Sequence, residues 1–208
     1  LRGQLSRVGK GRWCGGRPPY GYDLVYFDSA DRPYQTVRFL DSGDREIRLL
    51  DGTVQRVIPR GDPLPVTSTD RSGLVPGDPE RIAVVRRIFD WYVNGNAGFA
   101  TIAERLNVEG IPSAMGSRPG TRWKGTWSSG TIREFLRNPA YRGATAWNRI
   151  TYADFHRVEQ GQAIAKPKIA LGKVHRNAEA DWVIVEGTHE PLVSPDDFAK
   201  AQRLLKSR

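Results

Sequence analysis

The side chains of this sequence whose types and spacing suit a chemical task lie close together, in residues 127–143. Within residues 128–138, the small, hydroxyl and basic members are, in order, Ser128, Ser129, Gly130, Thr131, Arg133 and Arg137. Hydroxyl groups donate and accept hydrogen bonds, and arginine binds phosphate oxygens or base edges. Small residues at a helix start also permit close approach to DNA. The stretch favours a helix that meets DNA end-on; an amphipathic helix with solvated arginines is the alternative that it leaves open.

The neighbouring residues predict that this stretch is a short helix with fixed ends. Ser128 stands where an N-cap belongs, and Trp127 and Ile132 have the spacing of a hydrophobic staple. Pro139 ends the helix at about Asn138, because the residue before a proline avoids the α region. The apolar stripe on the other side of this helix consists of Ile132, Phe135 and Leu136.

The charge of the chain indicates a polyanionic partner. The formal net charge is +9, and residues 1–22 hold five basic residues and no acidic one. Residues 110–180 hold twelve bases and four acids, whereas residues 23–80 have more acids than bases. Nucleic acid and an anionic membrane surface both fit such basic blocks. No apolar run approaches the roughly 20 residues that cross a bilayer, and no signal peptide is visible. We therefore expect an intracellular protein without a membrane partner.

Histidine and cysteine predict neither a metal site nor a disulfide framework. Cys14 is the single cysteine, and His156, His175 and His189 lack the spacing of metal ligands. There is no nucleophile elbow, and the acidic residues have no convergent His or Lys. We expect no catalytic residue, metal or cofactor in this chain. Because the sequence begins at Leu1, we expect it to be a piece of a longer protein.

Residues 1–22 predict an extended basic arm, because they are rich in Gly, Arg and Pro and have little apolar surface to bury. Arginines in such arms commonly lie in a narrow minor groove of DNA. Arg12 and Arg17 are the candidates for that groove, and Lys10 is the candidate for a phosphate. A flexible linker with solvated charge is the alternative.

Residues 23–77 predict an antiparallel β-meander inserted before the helical part of the chain. Alternating apolar residues mark four strands, at about 24–27, 36–40, 46–50 and 53–58. The Asp51-Gly52 pair is the sharpest hairpin signal. Residues 60–77 are expected to be a Pro/Ser/Thr-rich connector.

Three helices, the third of them basic, are predicted in residues 78–138. Asp78 and Asn94 mark the ends of the first helix, and Gly110 ends the second. Such a set forms the core of helix-turn-helix domains. The loop of residues 111–126 before the third helix is too long for a simple bacterial repressor. The basic candidates for DNA contact in this loop are Arg122 and Lys124.

A β-hairpin is predicted after the third helix, with strands at 144–152 and 181–186 and a polar, basic loop between them. In this position a hairpin is a wing, and basic wing loops commonly touch phosphates; a disordered loop is the alternative. A capped helix starts at Ser194.

Together these elements predict an α+β fold. It combines a three-helix core like that of helix-turn-helix or winged-helix proteins with a β-hairpin wing and an inserted antiparallel meander. The expected domains are a basic arm (1–22), the β insertion (23–77), a helical DNA-binding domain with its wing (78–193) and a C-terminal helix (194–208).

An ordered set of residues resembles the recombinase domain of large serine recombinases. The set is Pro18-Pro19-Tyr20-Gly21-Tyr22, Ile88-Phe89, Ile102-Ala103, Leu106-Asn107, Gly110-Ile111, Trp127, Asn138-Pro139, Tyr141, Gly143 and His189-Glu190-Pro191. The resemblance covers nearly the whole chain except the strands of residues 23–75. It implies that a catalytic domain with a serine nucleophile precedes this domain. A zinc ribbon and a coiled coil would follow it, and zinc is expected only in that ribbon.

The resemblance also implies the DNA-binding part of a site-specific integrase or transposase. Its partner would be a double-stranded attachment site, of which it reads one half. The full-length protein is expected to form a dimer on one site and a tetramer in synapsis, and these residues alone to be monomeric without DNA. We expect a bacterial or phage-encoded protein in the cytoplasm, at the nucleoid. The candidate DNA-contacting residues are Lys10, Arg12, Arg17, Arg122, Lys124, Ser128, Ser129, Gly130, Thr131, Arg133, Arg137, Arg142 and Arg149.

Two other functions remain as alternatives. A freestanding nuclease or phosphoryl transferase is disfavoured, because metal-dependent nucleases need clustered carboxylates and the acids here alternate with bases in the strand insert. A helix-turn-helix transcriptional regulator is disfavoured by the long inter-helix loop and by the insert.

Overall fold

The computed structural model describes residues 2–14, 16–67, 69–113, 125–151, 156–159, 162–165 and 175–207. Over these ranges the chain has a mixed α+β fold with five α-helices and a five-stranded antiparallel sheet. The expectation of an α+β fold is confirmed.

The antiparallel sheet is built from residues 22–76. Its strands are Tyr22–Phe27 (β1), Pro33–Phe39 (β2), Arg45–Arg48 (β3), Val54–Ile58 (β4) and Arg71–Pro76 (β5). They are arranged in the order β4-β3-β2-β1-β5. Leu24 lies opposite both Val37 and Leu74, and Val37 lies opposite Ile47, so the buried apolar residues form a row across the sheet. The four predicted strands correspond to β1–β4.

The fifth strand is a correction, because residues 60–77 were expected to be a connector. Arg71–Pro76 instead pairs with β1 along its whole length. Gly73 interrupts the alternation of apolar and polar residues that would mark a strand. It is nevertheless closely packed, because a Cβ at Gly73 would lie 3.2 Å from the ring of Phe27. The strand therefore depends on a neighbour distant in sequence, which a local pattern cannot show.

Three helices follow the sheet and agree with the predicted set. They are Pro79–Val93 (α2), Phe99–Val108 (α3) and Ser129–Leu136 (α4). The Asp78 side chain accepts a hydrogen bond from the Glu80 N–H at 2.9 Å, so the predicted cap of α2 is confirmed. A last helix, Pro195–Ser207 (α5), packs against α2, and α3 packs against α4.

The predicted hairpin after α4 is present but interrupted. A 3₁₀ helix, Pro139–Arg142, leads into Thr145–Trp147 (β6), which pairs with a later strand, Val183–Val185 (β11). Asn148 has a φ of +65° and breaks the expected strand of residues 144–152. The intervening loop also contains short strands, which is a further correction: Ile150–Thr151 (β7), His156–Glu159 (β8), Gln162–Ala165 (β9) and His175–Arg176 (β10).

The extended arm predicted for residues 1–22 is wrong for Arg2–Gly9, which form a helix (α1). Val8 is fully buried, and α1 packs against β6 and β11. Tertiary packing therefore orders a segment whose own composition would leave it disordered.

One hydrophobic core joins the sheet to the helices. Tyr22 and Leu24 of β1 belong to the same cluster of buried residues as Phe89, Phe135 and Phe198 from three helices. The position of the sheet relative to α4 is thus fixed by packing.

Candidate nucleic-acid interface

The exposed end of α4 begins at a well-formed N-cap. Ser128 has extended dihedrals (φ −129°, ψ 159°), and its Oγ accepts the N–H of Thr131 at 3.1 Å. Ser128, Ser129 and Gly130 are exposed, and Thr131 is half-buried. A Cβ at Gly130 would have open space except for the Ser128 hydroxyl at 3.8 Å. A ligand can therefore approach the first turn of α4 closely.

The segment before α4 is held by Asn107 of α3. The Asn107 side chain accepts the Trp127 backbone N–H at 2.8 Å and donates to the Trp127 carbonyl at 2.9 Å. The Trp127 indole N–H donates to the Ile111 carbonyl at 3.0 Å. Sequence reasoning did not predict this role for Asn107, because its partner lies 20 residues away.

The buried side of α4 fits the predicted stripe. Ile132 and Leu136 are fully buried, and Phe135 stacks on Tyr141 with ring centroids 4.4 Å apart. Gln202 of α5 donates to the Leu136 carbonyl at 2.7 Å and so satisfies an acceptor at the C-terminal end of α4. That contact was also missed, since no local signal marks it.

Arg133 is the arginine of α4 that points to solvent. It is exposed, and among the described residues its guanidinium has no hydrogen-bond or ion-pair partner. It follows the exposed first turn by one position. The structure therefore places Arg133 beside the predicted small residues. On this face its guanidinium can donate hydrogen bonds to base edges or to phosphates.

The other predicted arginines of this region form ion pairs within the chain. Arg137 contacts Glu179 and Arg142 contacts Glu186, each at 2.6 Å. Both glutamate side chains are more than half exposed, so phosphates could replace them at little cost. Arg149 lies 3.5 Å from Glu134, and its Cζ is 4.9 Å from the Trp182 ring centroid. These three arginines connect α4 and its flank to the β6–β11 hairpin.

The arginines predicted for the arm lie against the sheet. Arg12 stacks on Phe27, with its Cζ 4.6 Å from the ring centroid, and forms an ion pair with Asp31. Arg17 donates to the Leu40 carbonyl at 3.4 Å. Lys10 is exposed in the turn that follows α1. The structure thus does not bring Arg12 and Arg17 out as a free arm.

Two predicted contacts, Arg122 and Lys124, lie outside the described residues. Within the described ranges, no cluster of three or more His, Cys, Asp or Glu side chains could hold a metal ion. None of the helices in those ranges is both long and apolar enough to span a membrane.

Comparison with known proteins gives a family match. A family model described as Recombinase matches residues 79–208, which is more than half of the chain. The matched range starts at the first residue of α2 and includes α4 and α5, whereas the five-stranded sheet lies before it. No curated protein matches the sequence.

Proposed function

Because the chain belongs to the recombinase-domain family of large serine recombinases, we propose that it is the part of a site-specific recombinase that recognises DNA sequence. It reads one half of an attachment site in double-stranded DNA. The observation that carries this proposal is the exposed first turn of α4, with Arg133 beside it.

The helical part supports a helix-turn-helix role for α2, α3 and α4. In such domains the last helix enters the major groove with its N-terminal residues on the base edges. The first turn of α4 is suited to this, because its cap and the Asn107 contacts fix its geometry before DNA arrives. The β6–β11 hairpin corresponds to the wing, and Arg137 and Arg142 are close enough to it to bind flanking phosphates.

The roles that we assign differ from the predicted ones, in which Arg12 and Arg17 contact the minor groove from an extended arm. Arg12 and Arg17 are held by the sheet. We therefore assign sequence reading to α4 and backbone contacts to the arginines around it.

DNA cleavage belongs, in this proposal, to a serine catalytic domain outside these 208 residues. The domain described here needs no cofactor, and zinc belongs to a ribbon domain. Dimers on one site and tetramers in synapsis are proposed for the complete recombinase.

The test is selection of bound duplexes from a randomised library at near-physiological salt, with Arg133→Ala and Arg137→Ala as a matched pair. We expect the wild-type chain to enrich an asymmetric motif. Arg133→Ala should relax the preference at about one base pair and weaken binding to the selected site by about 1–3 kcal/mol. Arg137→Ala should weaken all sequences alike, because a phosphate contact carries no sequence information.

If duplexes are retained but no sequence motif is enriched, the positive charge of the chain only binds phosphates, and sequence reading is refuted. An unchanged motif with Arg133→Ala would refute the assignment to α4. A third outcome concerns cleavage. If this chain nicks supercoiled plasmid, and the nicking persists in a metal-free control, the placement of cleavage in another domain is contradicted.

A further inference from the structure

Three arginines from separate segments converge on the turn between β2 and β3. Arg81 of α2 donates to the Phe39 carbonyl at 2.9 Å and to the Asp41 carboxylate at 2.6 Å. Arg17, from the segment before the sheet, donates to the Leu40 carbonyl. Arg60, which follows β4, lies across Gly43: a Cβ built there would be 2.8 Å from the Arg60 Cδ. We call Arg17, Arg60 and Arg81 the turn arginines.

Of the turn arginines, Arg81 forms an ion pair with a carboxylate, whereas Arg60 forms none within the described ranges. Asp41 pairs with Arg81, and Asp44 binds the Arg60 backbone N–H and the Ser42 hydroxyl. Among the described residues, the Arg60 guanidinium has no partner and is exposed. Burial lowers the pKa of Arg17, and the charges of Arg81 and Arg60 lower it further, although Asp41 opposes them. The positive charges of Arg60 and Arg81 thus act on Arg17, and an anion placed beside the three guanidinium groups would be attracted by each of them.

The turn arginines lie beside the start of α4. The Arg81 guanidinium sits 5.4 Å from the centroid of the Tyr20 ring, and Tyr20 meets Trp127 edge-on at 5.5 Å. Trp127 is the residue before the Ser128 cap. A cleft of about 400 Å³ separates the turn, at Asp41 and Ser42, from Gly125 and Thr126 on the α4 side.

A series of side-chain contacts, from Arg81 through Tyr20 to Trp127, thus connects the turn arginines to the helix that the proposed function places in the major groove. The DNA backbone borders that groove, with a phosphate every 3.4 Å of helix axis on each strand, by the general figure of about one charge per 1.7 Å for the duplex. A purely structural role accounts for Arg81, which joins α2 to the turn. It does not account for the exposed Arg60.

We propose that the turn arginines bind a backbone phosphate of the same duplex that α4 reads, so that the β insertion is part of the DNA interface. This inference rests on the proposed function for the position of the duplex. Arg60 supplies the direct contact, Arg17 adds charge, and Arg81 positions the turn. The contact is independent of base sequence.

The test measures binding of the full chain to its selected duplex and to a scrambled duplex over a series of salt concentrations. Arg60→Gln and Arg17→Gln remove one charge each. The control is Arg32→Gln, which removes the same charge from the β1–β2 turn at the opposite end of the sheet, where Arg32 is exposed and paired with Asp28. Thermal melting of each variant establishes that it is folded.

Arg60→Gln should weaken binding to both duplexes by roughly fivefold near physiological salt, with the base preference unchanged. It should also lower the salt slope, which is the magnitude of the slope of log binding constant against log salt concentration, by about one. Arg32→Gln should bind as the wild type does. Ethylation interference should locate one phosphate outside the α4 site at which ethylation no longer matters in Arg60→Gln.

If Arg60→Gln keeps the wild-type affinity and salt slope while Arg133→Ala still alters base preference, this inference is wrong and the proposed function stands. If no base preference exists but Arg60→Gln lowers the salt slope, the phosphate contact stands and sequence reading fails. Should Arg17→Gln not fold, Arg60→Gln alone decides the question. Equal losses in Arg60→Gln and Arg32→Gln would show only general charge attraction and would also overturn it.

Discussion

Single side chains set the geometry of the exposed turn of α4. The Ser128 hydroxyl satisfies one of the backbone N–H groups that a helix start leaves without a partner, and Asn107 binds both backbone groups of Trp127. These bonds are made within the chain, so the turn does not have to be ordered when DNA binds. That saves an entropic cost of association.

Ser128→Ala should lower the free energy of unfolding by about 0.5–2 kcal/mol, because the N-cap acceptor is lost. Ser129→Ala is the matched control: Ser129 is the first residue of α4, is exposed and makes no cap. Its effect should stay within about 0.5 kcal/mol. Urea denaturation of the two variants measures both values, and equal losses would contradict the capping role of Ser128.

Residue-scale prediction from sequence succeeded where the interaction is local. The Ser128 and Asp78 caps span two or three residues, and the sequence shows them directly. The pairs of Arg137 with Glu179 and Arg142 with Glu186 span 42 and 44 residues. No local pattern reveals such partners, so those arginines could be predicted as basic surface but not as paired side chains.

Whole helices and strands show the same difference between local signals, which the sequence reveals, and contacts between distant segments, which it does not. The helices α2, α3 and α4 have apolar periodicity and clear end signals, and they were predicted close to their observed bounds. By contrast, α1 and β5 exist because of what they pack against: α1 lies on β6 and β11, and β5 completes the sheet beside β1. The α1 segment is rich in Gly and Arg, and the β5 segment is interrupted by Gly73, so neither sequence shows a clear apolar periodicity.

The connection from the 3₁₀ helix to β6 depends on Gly143. It has a φ of +87°, and a Cβ there would lie 2.7 Å from the backbone oxygen of His189. The Thr188 N–H donates to the Gly143 carbonyl at 3.0 Å. The close approach joins the end of the 3₁₀ helix to the segment that follows β11.

Gly143→Ala should destabilise the fold by more than the cost of a left-handed alanine, about 1–2 kcal/mol, because the His189 backbone must also move. Gly52→Ala is the control, since Gly52 has a φ of +91° but open space around its Cβ position. The difference between the two variants in chemical denaturation isolates the close approach. Equal destabilisation would mean that backbone conformation alone requires glycine at residue 143.

At the scale of the whole molecule, the β insertion and the helical part share one hydrophobic core. The Tyr22 hydroxyl of β1 lies 2.9 Å from the carbonyl oxygen of Ala140 and 3.0 Å from that of Glu190, and its single proton is donated to this pair of acceptors. The Tyr22 ring also stacks on Tyr141 at 6.2 Å. The sequence predicted the sheet and the helices separately, but it could not predict that they pack together, because these contacts span more than a hundred residues. A rigid joint of this kind is what lets the turn arginines keep a fixed distance from α4.

Cooperative unfolding of the sheet with the helices is the consequence that can be measured. Tyr22→Phe removes the hydroxyl that bridges the two parts and should cost about 0.5–1.5 kcal/mol. If the two parts form one unit, amide hydrogen exchange should report the same loss of protection in β1 and in α2. Tyr34→Phe is the control, because the Tyr34 hydroxyl bonds Asp70 on the exposed surface of the sheet region. It should leave the protection of α2 unchanged. Protection lost in β1 alone after Tyr22→Phe would mean that the sheet opens independently, and a phosphate contact on it could then contribute affinity without fixing the position of α4.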